Sequence, residues 1–407
     1  MAPPRQTREV VVTGIGAVTP LGLGAATLHD RWAAGELGIV DGLAPCSAFD
    51  ASEHLSLKES RRLDRFSQLA VVAADEAIAQ AGWTGALPYD PTRVGCVIAT
   101  GIGGQTTIES QVILMHERGE RAVSPLGIPL YMPNAAAAAI TIRHSLRGPS
   151  FGVVSACTSG AHAIGSAMRM IQYGDADAVV CGGAEASLTR FGIACFRSMQ
   201  ALSESGVSRP FDLRRDGFVM GEGAGVLVLE EREAARERGA EVLAELAGYG
   251  STTDAHHITA PEPSGGPAAR AIELALRDAG AAPEEVDYVN AHGTSTPLND
   301  AAETAALKLA LGEHARRVPI SSTKSAIGHT LGAAGAVEAV ATVRTLMTGV
   351  IAPTLGLEVP DPELDLDYVP GEARPLPPAN GHRPLALSNS FAFGGHNVVL
   401  AIRRAAE

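Results

Sequence analysis

Short β-branched runs that stop at glycine or another small residue, then give way to helical periodicity, recur along this chain at residues 10–13, 94–99, 151–155 and 178–181. Strands that alternate with helices in this way define an α/β protein whose sheet is covered on both faces. Apolar residues at three- and four-residue spacing predict helices over 67–81, 159–174, 268–279 and 300–311. A single core rarely serves 407 residues, so two halves are expected. The stretch 250–266, with His256, His257, Pro261, Pro263 and two closing glycines, reads as a loop-rich break after a helical stretch and sets the seam. Residues 1–250 then form the first half and 251–407 the second. Each holds strands, a small-residue loop and a helix, which is compatible with a duplicated unit, although no sequence repeat is visible.

Charge and cysteine usage narrow the function. Asp plus Glu number 45 against 32 Lys plus Arg, a net charge of −13 that disfavours nucleic acid as a partner. The five cysteines are an odd number without a CxxC pair, and residues 1–6 carry two prolines and no apolar run, so a reduced, cytoplasmic chain without a signal peptide is expected. No apolar stretch approaches the roughly 18 residues of a membrane helix, the alanine run 135–139 least of all.

Cys157, in Ser155-Ala-Cys157-Thr-Ser-Gly, stands where a strand turns into a helix. Unpaired amides and the macrodipole at a helix start favour a thiolate, and the same amides can receive an oxyanion once the cysteine is acylated. A lone cysteine is more often a buried structural one, and Cys46, Cys96, Cys181 and Cys195 are read so. Partners set Cys157 apart. His292, in Asn290-Ala-His292-Gly-Thr294-Ser-Thr296-Pro, and His329, in Lys324-Ser-Ala-Ile-Gly-His329, lie in loops at predicted strand ends, where α/β sheets bind ligands. The other ten of the 12 histidines read as surface or satisfied core residues.

One cysteine and two histidines fit more than one chemistry. A proteolytic pair would use one histidine as base and needs a third group to orient it. Two neutral histidines can instead donate hydrogen bonds to a thioester carbonyl and stabilise a forming enolate. Zinc is disfavoured, because the three candidates are far apart in sequence and no paired ligand spacing accompanies them. Gly14 and Gly16 after an opening strand hint at a dinucleotide loop, but Thr19 replaces the third glycine, Pro20 follows, and no acidic ribose anchor is found.

Seven blocks in order, VVVTGIGAVTPLG, SACTSGAHAIG, YGDADAVVCGGAEA, RPFDLRRDGFVMGEGAGVLVLEE, VNAHGTSTPLNDAAE, STKSAIGHTLGAAGAVEA and SNSFAFGGHN, resemble the elongating branch of the β-ketoacyl-acyl carrier protein synthases and its type II polyketide relatives. The resemblance implies a thiolase fold, two similar halves stacked as five α-β-α-β-α layers, usually dimeric. It implies decarboxylative condensation of an acyl-enzyme with malonyl carrier protein to give a 3-oxoacyl chain two carbons longer, with no bound metal or redox cofactor. Cys157 matches the acylated nucleophile, and His292 and His329 match the pair that marks this branch. Lys324 matches the lysine beside them, and Glu338 its carboxylate partner. The amides of Cys157 and Phe393 match the oxyanion hole. Thr294 and Thr296 match the phosphopantetheine contacts, although Thr296 also suits a helix cap. Phe393 and Phe196 match gating aromatics, Ile102 a residue limiting acyl-pocket depth, and Arg61 and Arg62 carrier-docking positions. In the docking region a solvated helix face is the plain alternative.

Two departures stand out. Ala392 replaces a glycine common between the two phenylalanines of the gate, and Gln200 stands where some relatives carry a basic residue. Rival readings are a thiolase acting without decarboxylation, which both histidines oppose, and a non-catalytic chain-length subunit, which Cys157 opposes. Fatty-acid elongation is the preferred pathway. The alternative is a polyketide ketosynthase paired with a chain-length-factor homologue.

Overall fold

A computed structural model describes residues 8–379 and 381–406. The opening segment read for a signal peptide lies outside the described residues. Ten strands carry the fold: β1 (Val10–Thr19), β2 (Val94–Ala99), β3 (Ser150–Val153), β4 (Ala178–Glu185), β5 (Gly223–Glu231), β6 (Ala244–Thr253), β7 (Val286–Asn290), β8 (Ile320–Ser321), β9 (Leu385–Ala392) and β10 (His396–Arg404). They line up as β8-β7-β9-β10-β6-β1-β5-β4-β2-β3.

That order holds the duplication that the sequence hides. Within β1–β5 the spatial order is third, second, fourth, fifth, first, and within β6–β10 it is the same. The senses match too. In each half the second strand is parallel to the third and the fourth, and the fifth is antiparallel to the fourth and the first. The halves join where β1 meets β6, through the pairs Val11 with Glu245 and Val12 with Ala244.

The principal helices are α1 (Arg65–Gln80), α2 (Ala135–His144), α3 (Ser159–Tyr173), α4 (Arg190–Ser198), α5 (Gly266–Asp278), α6 (Pro297–Leu311) and α7 (Ala334–Thr348). Helices α3 and α7 pack on each other and touch strands of both halves. On the far faces α1 and α2 cover the first half, and α5 with α6 covers the second. Helix, sheet, helix, sheet, helix is the five-layered arrangement the resemblance implies. Separate apolar cores fill the middle and the two outer interfaces.

Predicted helix boundaries hold to within three residues, and caps explain the shifts. Asp64 accepts from the Phe66 amide and starts α1 early, Gly174 ends α3 in a left-handed cap, and Pro297 opens α6. The reading around residue 250 needs correction. Gly250 pairs with Val399 inside β6, and the loop begins only at Asp254. The stretch before it is a helix of six residues, Arg232–Glu237, and then strand. Helix formers such as Glu245 and Leu246 mimic a helix in sequence, but pairing with β10 overrides their propensity.

The dinucleotide hint dissolves in the same way. Gly14 and Gly16 lie inside β1 beneath α1, where an added Cβ would fall 2.0 Å from the carbonyl oxygens of Ala77 and Ala73. They are glycines because a helix backbone crosses there. Among the described residues no helix is long and apolar enough to cross a membrane.

Candidate active site

Cys157 sits in a tight turn between β3 and α3. Ala156 before it takes φ +50°, a left-handed conformation that costs a β-carbon-bearing residue about 1 kcal/mol. Hydroxyls hold the turn: Ser159 Oγ donates to the Ala156 carbonyl at 2.6 Å and accepts the Ser155 amide at 2.8 Å, and Thr158 Oγ1 donates to the Ser155 carbonyl at 2.7 Å. The turn aims the sulfur at a pocket of about 290 Å³ lined by Cys157, His292, His329, Thr294, Thr296, Phe196 and Phe393.

The two histidines are neutral donors by construction. The Leu331 amide donates to His329 Nδ1 at 3.2 Å, so the ring proton sits on Nε2, which lies 3.1 Å from Cys157 Sγ. Lys324 Nζ lies 3.3 Å from His292 Nδ1, donates to the His292 carbonyl at 2.6 Å and pairs with Glu338, using all three of its protons. An ammonium has only donors, so His292 Nδ1 accepts and its Nε2 carries the proton. The rings stand edge to face with centroids 5.5 Å apart. Burial first, and the Lys324 charge second, hold both imidazoles well below their ordinary pKa. Each presents an uncharged N–H.

The thiol differs from expectation. Burial pushes Cys157 up to about 12, although the Lys324 charge and the Phe393 amide on its sulfur pull down; Glu185 and Glu338 add to the rise. The lowering expected of a helix start is not met: burial dominates, and α3 itself begins two residues after the cysteine. Alkylation of the Cys157 peptide by iodoacetamide should therefore rise about tenfold per pH unit from 7 to 10 without levelling. A plateau near pH 8 would restore the thiolate reading. Of the four cysteines read as buried, Cys46, Cys96 and Cys181 are, whereas Cys195 is exposed on α4.

Other sequence candidates fall into place around this centre. Thr294 and Thr296 join hydroxyl to hydroxyl at 2.9 Å, and Thr296 makes no side-chain cap bond to α6. Both face the pocket instead. Phe196 packs edge-on against Phe218, and Phe218 against His329. Ala392 ends β9, paired with His396, so strand backbone carries its β-carbon, and the left-handed residues of the gate are Gly394 and Gly395. Gln200 lies on the pocket rim. Ile102, in the loop after β2, is 39% exposed and does not line this pocket. Arg61 and Arg62 are exposed, but Arg65, the first residue of α1, turns inward onto Glu222 at 2.6 Å.

Three buried acids escaped the sequence reading. Glu303 accepts the His292 and Gly293 amides at 2.9 and 2.8 Å and is raised to about 6 by burial. Asp300 accepts the Thr294 amide at 3.1 Å. Glu185 accepts the Gly101 and Gly332 amides at 2.6 and 3.2 Å. Two acids three apart near the start of a predicted helix were the only signal for the first two, and such a pair ordinarily reads as a solvated face.

A thiol facing two neutral N–H donors, assembled where two matched α/β halves meet, defines a cysteine-dependent condensing enzyme. Residues 42–235 match the family model described as beta-ketoacyl synthase, N-terminal domain, and residues 243–358 match its C-terminal domain. The chain belongs to the beta-ketoacyl synthase family, and its fold is the thiolase fold. It is 46% identical to the 3-oxoacyl-[acyl-carrier-protein] synthase 2 of Synechocystis sp., over 98% of this chain and 99% of that one. A type II polyketide synthase structure, a ketosynthase bound to the hexaketide in complex with its acyl-carrier protein, is 32% identical with a TM-score of 0.90, covering 98% of this chain and 100% of that one. The ishigamide ketosynthase/chain length factor structure is likewise 32% identical, at a TM-score of 0.88 and the same coverage.

Proposed function

We propose that the chain is a β-ketoacyl-acyl carrier protein synthase of fatty-acid elongation. The Cys157 sulfur attacks an acyl carrier thioester, its S–H proton passes to the sulfur of the departing carrier arm, which leaves as a thiol, and the acyl group stays on Cys157. Malonyl carrier protein then enters along Thr294 and Thr296. Its carboxylate departs as carbon dioxide, and the electron pair left behind forms an enolate whose oxygen takes the Nε2–H groups of His292 and His329. The enolate carbon attacks the acyl-cysteine carbonyl, the oxyanion rests on the amides of Cys157 and Phe393, and collapse expels the Cys157 thiolate. The product is a 3-oxoacyl chain longer by two carbons. Every step is redox-neutral and draws on no cofactor beyond the carrier's own phosphopantetheine arm.

The observation that supports this reading best is the pair of engaged Nδ1 atoms, one accepting from a backbone amide and one from a lysine, which leaves two donors and no base beside the nucleophile. A cysteine protease would need the opposite. His329→Ala is therefore expected to cut malonyl decarboxylation by about 10²- to 10³-fold while Cys157 still accepts an acyl group. Loss of acyl loading with decarboxylation intact would reverse the assignment.

Partners follow from the surface. Arg61 and Arg62 are exposed and among the described residues enter no ion pair, a fit for an acidic carrier protein on a chain of net charge −13. Charge reversal at both should raise the KM for acyl carrier protein about tenfold with little change in kcat; an unchanged KM removes this docking site. Strand β3 is a sheet edge, with Phe151 in it and Val154 just past its end exposed at 41% and 54%. An open apolar edge invites a second strand, and we assign it to a second copy of the chain. The ketosynthase/chain length factor likeness favours a second reading, pairing with a homologue in a polyketide pathway, and copurification of a partner lacking the cysteine would select it. The five unpaired cysteines accord with a cytoplasmic location.

A further inference from the structure

The Glu185 carboxylate, at the end of β4, is fully buried and reaches both halves of the molecule. Oε2 accepts the Gly101 amide from the loop after β2 and the Gly332 amide from the loop after His329. Oε1 accepts Ser187 Oγ at 2.8 Å and Thr100 Oγ1 at 3.2 Å. These two loops touch backbone to backbone, since a Cβ on Gly332 would fall 1.9 Å from the Gly101 nitrogen. Between His329 and Gly332 stands Leu331, held at φ +49° although it carries a branched side chain. A residue of that kind leaves the left-handed region unless its neighbours hold it there. The next amide on is the one Glu185 holds, and Leu331's own amide is the one that fixes the His329 tautomer.

We propose that Glu185 is a positioning residue for decarboxylation: by gripping the Gly332 N–H it holds Leu331 in its left-handed conformation, so that the Leu331 N–H meets His329 Nδ1 and the ring proton stays on Nε2, facing the substrate. The inference rests on the role given to His329 above. It requires an acceptor oxygen at the right reach and does not require a charge.

Two substitutions separate these requirements. Glu185→Gln keeps the reach, because its amide oxygen can accept from Gly101 and Gly332 while its NH₂ donates to the Ser187 and Thr100 hydroxyls. Glu185→Asp keeps the charge but is shorter by one methylene and cannot span both amides. Malonyl decarboxylation and acyl loading of Cys157, the latter by intact-protein mass spectrometry, are measured for both and for His329→Ala. Glu185→Asp is expected to lose about tenfold or more in decarboxylation with acyl loading within about twofold, a fraction of what removing an oxyanion donor costs. Glu185→Gln should rescue the rate. In ¹⁵N spectra of the histidine-labelled protein, His329 Nδ1 should gain protonated character in the aspartate variant alone. The reverse order of the two variants would make charge the operative property and overturn the proposal. So would equal losses in both reactions, or no loss in either. If His329→Ala itself decarboxylates normally, the site reading has failed, and the Glu185 proposal falls with it.

Discussion

Replacing Cys157 with alanine abolishes acyl transfer and leaves decarboxylation standing. No acyl adduct appears by intact-protein mass spectrometry with carrier proteins of any chain length, and 3-oxoacyl product falls by at least about 10⁴-fold, as for removal of other covalent nucleophiles. The other cysteines cannot substitute: Cys46, Cys96 and Cys181 are buried and Cys195 is on α4 outside the pocket lining. Malonyl carrier protein should still lose carbon dioxide, because Leu331 and Lys324 set the tautomers of His329 and His292 and the sulfur does not. Removing one sulfur from a pocket wall leaves little cavity to pay for, so the change in folding stability should stay within about 1 kcal/mol. Condensed product from the alanine variant would remove Cys157 from the mechanism.

Much of this site was legible in the residues because its chemistry demands rare types in special places. A cysteine at a strand-to-helix turn and two histidines in loops at strand ends stand out from a background of alanines and valines. Resemblance then added Lys324 and Glu338, which pair beside His292, and Thr294, Thr296 and Phe393, which line the pocket. What stayed hidden works through backbone. Glu303, Asp300 and Glu185 hold amides rather than substrate, and an acid that folds inward to grip two N–H groups has the same sequence signature as one that faces water. The thiol was misjudged for a related reason. A helix start can be read from sequence, whereas the desolvation that raises Cys157 depends on how many other elements close over it.

The fold divides along the same line. Strand β2 was located to the residue, since Val94–Ala99 is apolar on both faces and bounded by turn signals. The end of β6 was missed, because the strand's own composition argues for helix and only β10 argues against it. The strand order shared by the two halves could not be read from the residues, and only the resemblance pointed to two similar halves. Pairing order depends on which apolar runs meet, and many sequences satisfy one order without resembling each other.

Lys324 offers a second large effect that stability and catalysis can be made to share or divide. Its ammonium and the Glu338 carboxylate are each 2% exposed, and the lysine also holds the His292 carbonyl and Nδ1. Lys324→Ala strands Glu338, a group that burial already raises to about 7, and breaking a buried pair on one side typically costs about 3–5 kcal/mol. Urea unfolding should register that loss directly. Replacing both partners at once, Lys324→Met with Glu338→Leu, exchanges the pair for apolar bulk of similar size and should recover most of the stability. Decarboxylation should not recover. With no donor on Nδ1, the His292 proton is free to move there, and the enolate loses one of its two N–H contacts, a deficit of about 10²-fold or more. If the double variant regains rate together with stability, the lysine is structural and the His292 tautomer is set elsewhere. If stability returns and rate does not, the buried pair exists to keep an imidazole pointing the right way round.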